Sequence, residues 1–130
     1  MVGNVKDVRI RDLTTATDIV TTTADFVGFE AGWVYLLDES IDKRTAYSWG
    51  RPSRDKIIVS PKGIAYPGDT VPGSGAKKIV IDLVNPLTSV TMTQVEDVDI
   101  TTGWVVITKG DHVIAYSPAI INFLTVEPTP

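Results

Sequence analysis

Gly32-Trp33-Val34-Tyr35-Leu36-Leu37 returns, closely matched, as Gly103-Trp104-Val105-Val106-Ile107-Thr108, and the likeness extends to both sides. Downstream, Ala46-Tyr47-Ser48 is answered by Ala115-Tyr116-Ser117. Upstream, Leu13-Thr14-Thr15 is answered by Leu87-Thr88-Ser89, each ahead of a Thr-rich run and an acidic residue, Asp25 or Asp97. Further up, Ile10-Arg11-Asp12-Leu13 is loosely matched by Ile81-Asp82-Leu83. The pattern reads as two copies of one β unit, residues 8–48 and 79–117: a first strand, a Gly-Trp strand, a turn, and a return strand ending at Ala-Tyr-Ser. The competing explanation is that hairpins built from Val, Ile and Thr resemble one another through composition alone.

Composition points the same way. Seventeen Val, thirteen Ile and sixteen Thr stand against six Leu in 130 residues. Branching at Cβ restricts rotamers in a helix and suits a pleated surface. Ten Gly and eight Pro supply turns. The expectation is one all-β domain over residues 1–130, a β-sandwich or small barrel, with a core of ordinary size for its length. The chain has no cysteine, which excludes disulfides and thiolate metal sites. It shows no secretory signal and no apolar stretch of membrane-span length, so a soluble chain is expected.

The net charge of −4 hides a separation. Lys43 to Lys78 contains eight basic residues and only Asp55 and Asp69 against them, a net +6, so the remainder carries −10. A split of this kind suggests partners more than the overall sum does.

Val5 to Leu13 reads as a strand with one wet face. Thr14 to Ala24, with six Thr, reads as an extended or edge segment rather than a helix. Phe26 to Leu37 is strongly apolar, with a bend expected at Gly28 or Gly32. Asp38 to Lys43 is a turn, and Arg44 to Trp49 a return strand. Lys56 to Ser60 is a short strand. Residues 50–78 form a basic arm, because Pro61 to Lys78 is dense in Pro and Gly, and this composition favours reach toward a neighbour over folding back. Lys78 to Val84 is a strand. Ser89 to Ile100 slips register, which predicts a bulge within Thr93 to Asp97. Gly103 to Thr108 and His112 to Tyr116 flank a Gly110-Asp111 hairpin turn. Ala119 to Val126 is a last strand, and residues 127–130 an extended tail.

No catalytic residue is assigned. His112 is the only histidine, and Asp111 beside it points to the opposite face of a strand. Gly73-Ser74-Gly75-Ala76-Lys77-Lys78 lacks phosphate-loop spacing and precedes a strand. The acidic groups Glu96-Asp97-Asp99 and Asp38, Glu39 and Asp42 suit hard cations in principle, but they read as solvated turns; no metal and no cofactor is expected. The assembly residues expected are Arg51, Arg54, Lys56, Lys62, Lys77 and Lys78 for charge, with Ile64, Tyr66 and Val71 as apolar anchors. Trp49 and Tyr66 amid these bases would also suit nucleic acid. The acidic body argues against that partner and for a protein of opposite charge.

Ile10-Arg11-Asp12-Leu13, the Thr/Ala-rich run through Ala24, Asp25-Phe26-Val27, Leu36-Leu37-Asp38 and Lys43-Arg44-Thr45 together resemble segments of tailed-bacteriophage virion structural proteins, over Ile10 to Ser48. The resemblance implies a non-enzymatic capsid decoration (cement) or tail-associated protein, made in the host cytoplasm and residing in the virion. Its partners would be itself, as a homo-oligomer, and other virion proteins, with no membrane. The alternative expectation is a carbohydrate-binding β-sandwich module that stacks sugars on Trp33, Trp49 or Trp104.

Overall fold

The structure, a computed structural model, describes residues 5–48, 54–66, 68, 71–84 and 87–129. Twelve strands follow in chain order: β1 (Lys6–Asp12), β2 (Thr17–Ala24), β3 (Phe26–Glu30), β4 (Trp33–Asp38), β5 (Lys43–Ser48), β6 (Lys56–Pro61), β7 (Lys77–Val84), β8 (Leu87–Val95), β9 (Asp97–Asp99), β10 (Val105–Lys109), β11 (His112–Tyr116) and β12 (Ile121–Pro128). A 3-10 turn, Pro118–Ile120, precedes the last strand; Ser117 caps it by accepting the Ala119 N–H. The all-β expectation holds. The barrel alternative does not, because the sheets do not close.

Three antiparallel sheets form, in the orders β2-β1-β6-β11-β10-β9, β12-β7-β8 and β3-β4-β5. Alternation along the strands builds two cores. Val8 and Ile10 of β1, with Ile57 and Val59 of β6, pack on Val34 and Leu36 of β4. Ile79, Ile81 and Leu83 of β7, with Met92 and Val95 of β8, pack on Val105, Ile107, Ile114 and Tyr116. Each such side chain, once buried, contributes about 1.5–3 kcal/mol from area removed from water. The six-stranded sheet serves both cores, since on β11 Ala115 belongs to the first and Ile114 and Tyr116 to the second.

The pairing of the first six strands recurs in the second six. In each half the first strand lies between the second and the sixth: β2-β1-β6 and β12-β7-β8. In each half the third, fourth and fifth strands form a meander: β3-β4-β5 and β9-β10-β11. Registers agree at equivalent positions of the ladders, although the bulges fall at different places. Lys6 faces Ala24 and Pro61, as Lys77 faces Val95 and Pro128. Tyr35 faces Gly28 and Ala46, as Val106 faces Asp99 and Ala115. Val34 faces Tyr47, as Val105 faces Tyr116. Gly32 and Gly103, at φ 81° and 90°, both use the left-handed backbone that glycine tolerates to open the Gly-Trp strand. Leu13-Thr14-Thr15 and Leu87-Thr88-Ser89 do not correspond: Leu13 follows β1 in a turn, whereas Leu87 opens β8.

Several boundaries differ from the sequence reading. The basic arm is not continuous over 50–78, because Lys56–Pro61 is a central strand between β1 and β11 and Lys77–Lys78 open β7. Four successive β-branched or apolar-compatible positions, Ile57 to Ser60, are buried on both faces, which is what a central position demands. The expected extended tail also moves: Glu127 and Pro128 close β12 opposite Lys78 and Lys77. Gln94, at φ 55°, marks the bulge between Met92 and Val95, inside the window expected for it.

Candidate interaction surface

The strand pair β6·β11 joins the two halves, and its chemistry shows what such a seam requires. Val59 faces Val113, Ile58 faces Ile114, Ile57 faces Ala115 and Lys56 faces Tyr116. Beyond them, His112 Nδ1 and Ser60 Oγ share a buried hydrogen bond of 2.9 Å. Tyr66 stands edge-on to the His112 ring, with centroids 5.6 Å apart. The Lys56 ammonium lies 5.2 Å from the centroid of Tyr116 and 5.4 Å from that of Tyr66, so the buried cation has two aromatic faces. At the end of this seam, Trp104 of the second half enters the core of the first and meets Phe29 edge-on at 6.0 Å. Trp104 is 0 % exposed.

Among the described residues, two strands lack the neighbour that their counterparts have. β5 is the outer strand beside β4, and β12 the outer strand beside β7. Large apolar side chains lie exposed on or beside both, and at Ile100 just past β9. Trp33 is 49 % exposed, Ile100 58 %, Phe123 55 % and Val126 45 %. Unpaired edges carrying exposed apolar side chains are templates for further strand pairing.

A shallow groove crosses the outer face of the β3-β4-β5 meander, lined by Phe26, Glu30, Trp33, Tyr35, Leu37 and Arg44 among others. The Tyr35 ring crosses the backbone at Gly28, where a Cβ would come within 2.9 Å of the ring. Tyr35 donates its hydroxyl to Glu30 Oε1 at 2.8 Å. That bond, followed by burial, raises the Tyr35 pKa, so the donor stays protonated. The groove offers aromatic surface, one cation and one carboxylate on a rigid sheet.

The expected assembly residues do not gather into one patch. Val71 is buried, and Ile64 is exposed. Tyr66 packs against the second core. Arg54 covers the Tyr47 ring at 5.1 Å and donates to the Ser48 carbonyl at 3.3 Å. Lys56 lies in the β6·β11 seam. Lys77 reaches Asp97 at 3.8 Å and Lys78 reaches Glu127 at 3.6 Å, both within the chain. Lys62 lies exposed just after β6. Arg51 and Trp49 fall outside the described residues.

The Gly-rich stretch after β6 returns to its own domain instead of reaching outward. Gly75 donates its N–H to the Gln94 carbonyl at 3.1 Å, and Ser74 N–H meets Glu96 Oε1 at 3.1 Å. Gly73 and Gly75 lie so close to the Gln94 and Val95 carbonyls that a Cβ would collide with them. The Pro/Gly content was read as favouring extension; it serves close backbone contact here.

Three of the acidic candidates, Glu96, Asp99 and Asp38, are taken up by the chain's own donors. Glu96 accepts the Gly110 N–H with both carboxylate oxygens, at 2.9 and 3.0 Å. Asp99 Oδ1 accepts the Thr101 N–H and hydroxyl, and Asp38 Oδ1 those of Ser40. Burial lowers the His112 pKa, with Asp111 opposing, so the ring is held neutral in its bond to Ser60. The open edges escaped sequence reasoning because their signal lies in what β5 and β12 lack, which only pairing reveals. Compared with protein-family models, with curated proteins and with solved structures, the chain matches none.

Proposed function

We propose that this chain is a non-enzymatic structural protein of a phage virion, a capsid decoration or tail-associated component that acts through contacts between subunits. The observation that carries the reading is the pair of outer strands, β5 and β12, with exposed Trp33 beside β5 and exposed Phe123 and Val126 on β12. An edge of that kind is a liability unless something covers it. The side chains with catalytic potential support the same reading: His112 is buried against Ser60, and Glu96 holds a turn. The phage setting rests on the resemblance of Ile10 to Ser48 to virion structural proteins.

The test is to purify particles by density gradient from cells that express the gene with its neighbours, and to search the particle band by mass spectrometry. Peptides of this chain in the band at a fixed ratio to the shell or tail protein are expected. Their confinement to the unsedimented fraction would overturn the reading.

A second reading is favoured by one observation: Trp33 lies half-exposed beside Tyr35, Glu30 and Arg44 in the groove. An aromatic face flanked by a carboxylate and a guanidinium suits a sugar ring. Trp104, buried, is removed as a platform. Titration of oligosaccharides against the wild type and Trp33→Ala, followed by tryptophan fluorescence, separates the two readings.

A further inference from the structure

We propose that β5 and β12 are the two halves of a head-to-tail contact between copies of this chain, in which β12 of one copy pairs antiparallel with β5 of the next, in the register that β6 and β11 use within the chain. The inference deepens the structural-protein reading and rests on it for its biological setting only.

β2 and β8 are outer strands in both halves, and so are β3 and β9. Among the described residues, two pairs of counterparts break the agreement: β6 has a second neighbour and β12 does not, while β11 has one and β5 does not. The pairing missing from one place is the pairing made in the other.

The register can be carried across, because Lys6·Pro61 corresponds to Lys77·Pro128 and Val34·Tyr47 to Val105·Tyr116. Ile58·Ile114 becomes Thr125·Thr45, Ile57·Ala115 becomes Leu124·Ala46, and Lys56·Tyr116 becomes Phe123·Tyr47. Val59·Val113 becomes Val126·Arg44, and one step beyond that pair the hydrogen-bonded Ser60 and His112 become Glu127 and Lys43. Thr–Thr pairs, aromatic pairs and opposite charges are the cross-strand combinations that stabilise a ladder. Nothing in the folding of one chain requires these residues to complement each other, since β5 and β12 belong to different sheets.

The exposed apolar residues fall at the same correspondence. Trp104 packs on Phe29, and their counterparts, Trp33 and Ile100, are both exposed. Buried Val59 has exposed Val126 as its counterpart. In the pairing proposed, Trp33 of one copy covers Ile100 of the copy that supplies β12. Because the two edges differ, the contact is heterologous: it closes into a ring if the rotation per copy closes and otherwise runs on as a filament.

The experiment blocks one edge at a time. Trp33→Glu with Lys43→Glu blocks the β5 side, and Phe123→Asp with Thr125→Asp blocks the β12 side. Sedimentation velocity over a concentration series reads assembly, and circular dichroism reads folding. Wild type is expected to associate, and each blocked variant to raise the midpoint of association by about tenfold or more. An equimolar mixture of the two variants is expected to stop at a 1:1 dimer, because each supplies one good edge. Should either variant unfold, Lys43→Ala and Thr125→Ala serve in its place. Wild type monomeric at every concentration, a blocked variant that associates as wild type does, or a mixture that stays monomeric would each overturn the proposal. The particle fractionation is scored separately: the chain can occupy virions without pairing these edges, or pair them without occupying virions.

Discussion

Asp25 and Glu96 hold the same position in the two halves and perform the same task. Asp25 Oδ2 accepts the Glu39 N–H at 2.7 Å, and Glu96 Oε1 accepts the Gly110 N–H at 2.9 Å. Each also donates its own N–H back to the strand before that turn, to Leu37 O at 2.8 Å and Thr108 O at 3.0 Å. A carboxylate at the bend between the second and third strands thus clamps the turn after the fourth.

Glu96→Gln should therefore destabilise the second half. Desolvation by burial pushes the Glu96 pKa upward, but the N–H groups of Ser74 and Gly110 outweigh it and hold the carboxyl below its ordinary 4.5. A depressed folded pKa means stability present above 4.5 and lost as pH falls through the folded value. Thermal melts from neutral pH down to acid should show the wild type converging on the variant as pH falls below 4.5. At neutral pH the loss should be about 1 kcal/mol, since the carboxylate is only partly buried.

The two tryptophans of the repeated motif should respond very unequally to truncation. Trp104→Ala empties a buried site against Phe29 and should cost about 3–5 kcal/mol in urea unfolding. Trp33→Ala removes a half-exposed side chain and should cost under about 1 kcal/mol. Equal losses in the two would contradict the placement of Trp33 at an open edge.

Gly75→Ala should unlatch the Gly-rich stretch. A Cβ there meets the Val95 carbonyl, which is backbone and cannot move aside cheaply. Hydrogen exchange should rise at Gly75 and Ser74, whose N–H groups are bonded to Gln94 and Glu96, while the β7 core stays protected.

His112→Ala should weaken the seam between the halves. The variant leaves Ser60 without its partner in a buried site and removes the edge contact with Tyr66, a loss of about 1–3 kcal/mol. In the wild type the lowered His112 pKa contributes stability that is full above 6.5 and falls as pH drops below it. That acid slope should vanish in the variant.

Much of this architecture was legible in the residues. Gly-Trp and Ala-Tyr-Ser recur because both flank the same ladder, Val34·Tyr47 and Val105·Tyr116. The correspondence of β6 with β12 was not legible, for a physical reason. Ile57 to Ser60 is central and buried on both faces, so it must be apolar or small; Phe123 to Glu127 is an outer strand and admits Thr and Glu. Only Val59/Val126 and Pro61/Pro128 persist between them. The basic segment misled in the same way, because Lys56 counts as surface charge in a sequence and is a buried cation between two rings in the fold.

The central claim is that β5 and β12 meet in one register between copies, and a protein without cysteine allows that register to be read directly. Thr45→Cys and Thr125→Cys proteins are mixed, oxidised and run without reductant. Directly opposed residues on antiparallel strands have Cα atoms about 4.5–5.5 Å apart, within disulfide reach. The expected result is a crosslinked dimer of Thr45→Cys with Thr125→Cys, formed far faster than when Thr45→Cys is mixed with Phe123→Cys, two residues out of register. Equal crosslinking in both mixtures, or none in either, would contradict the account.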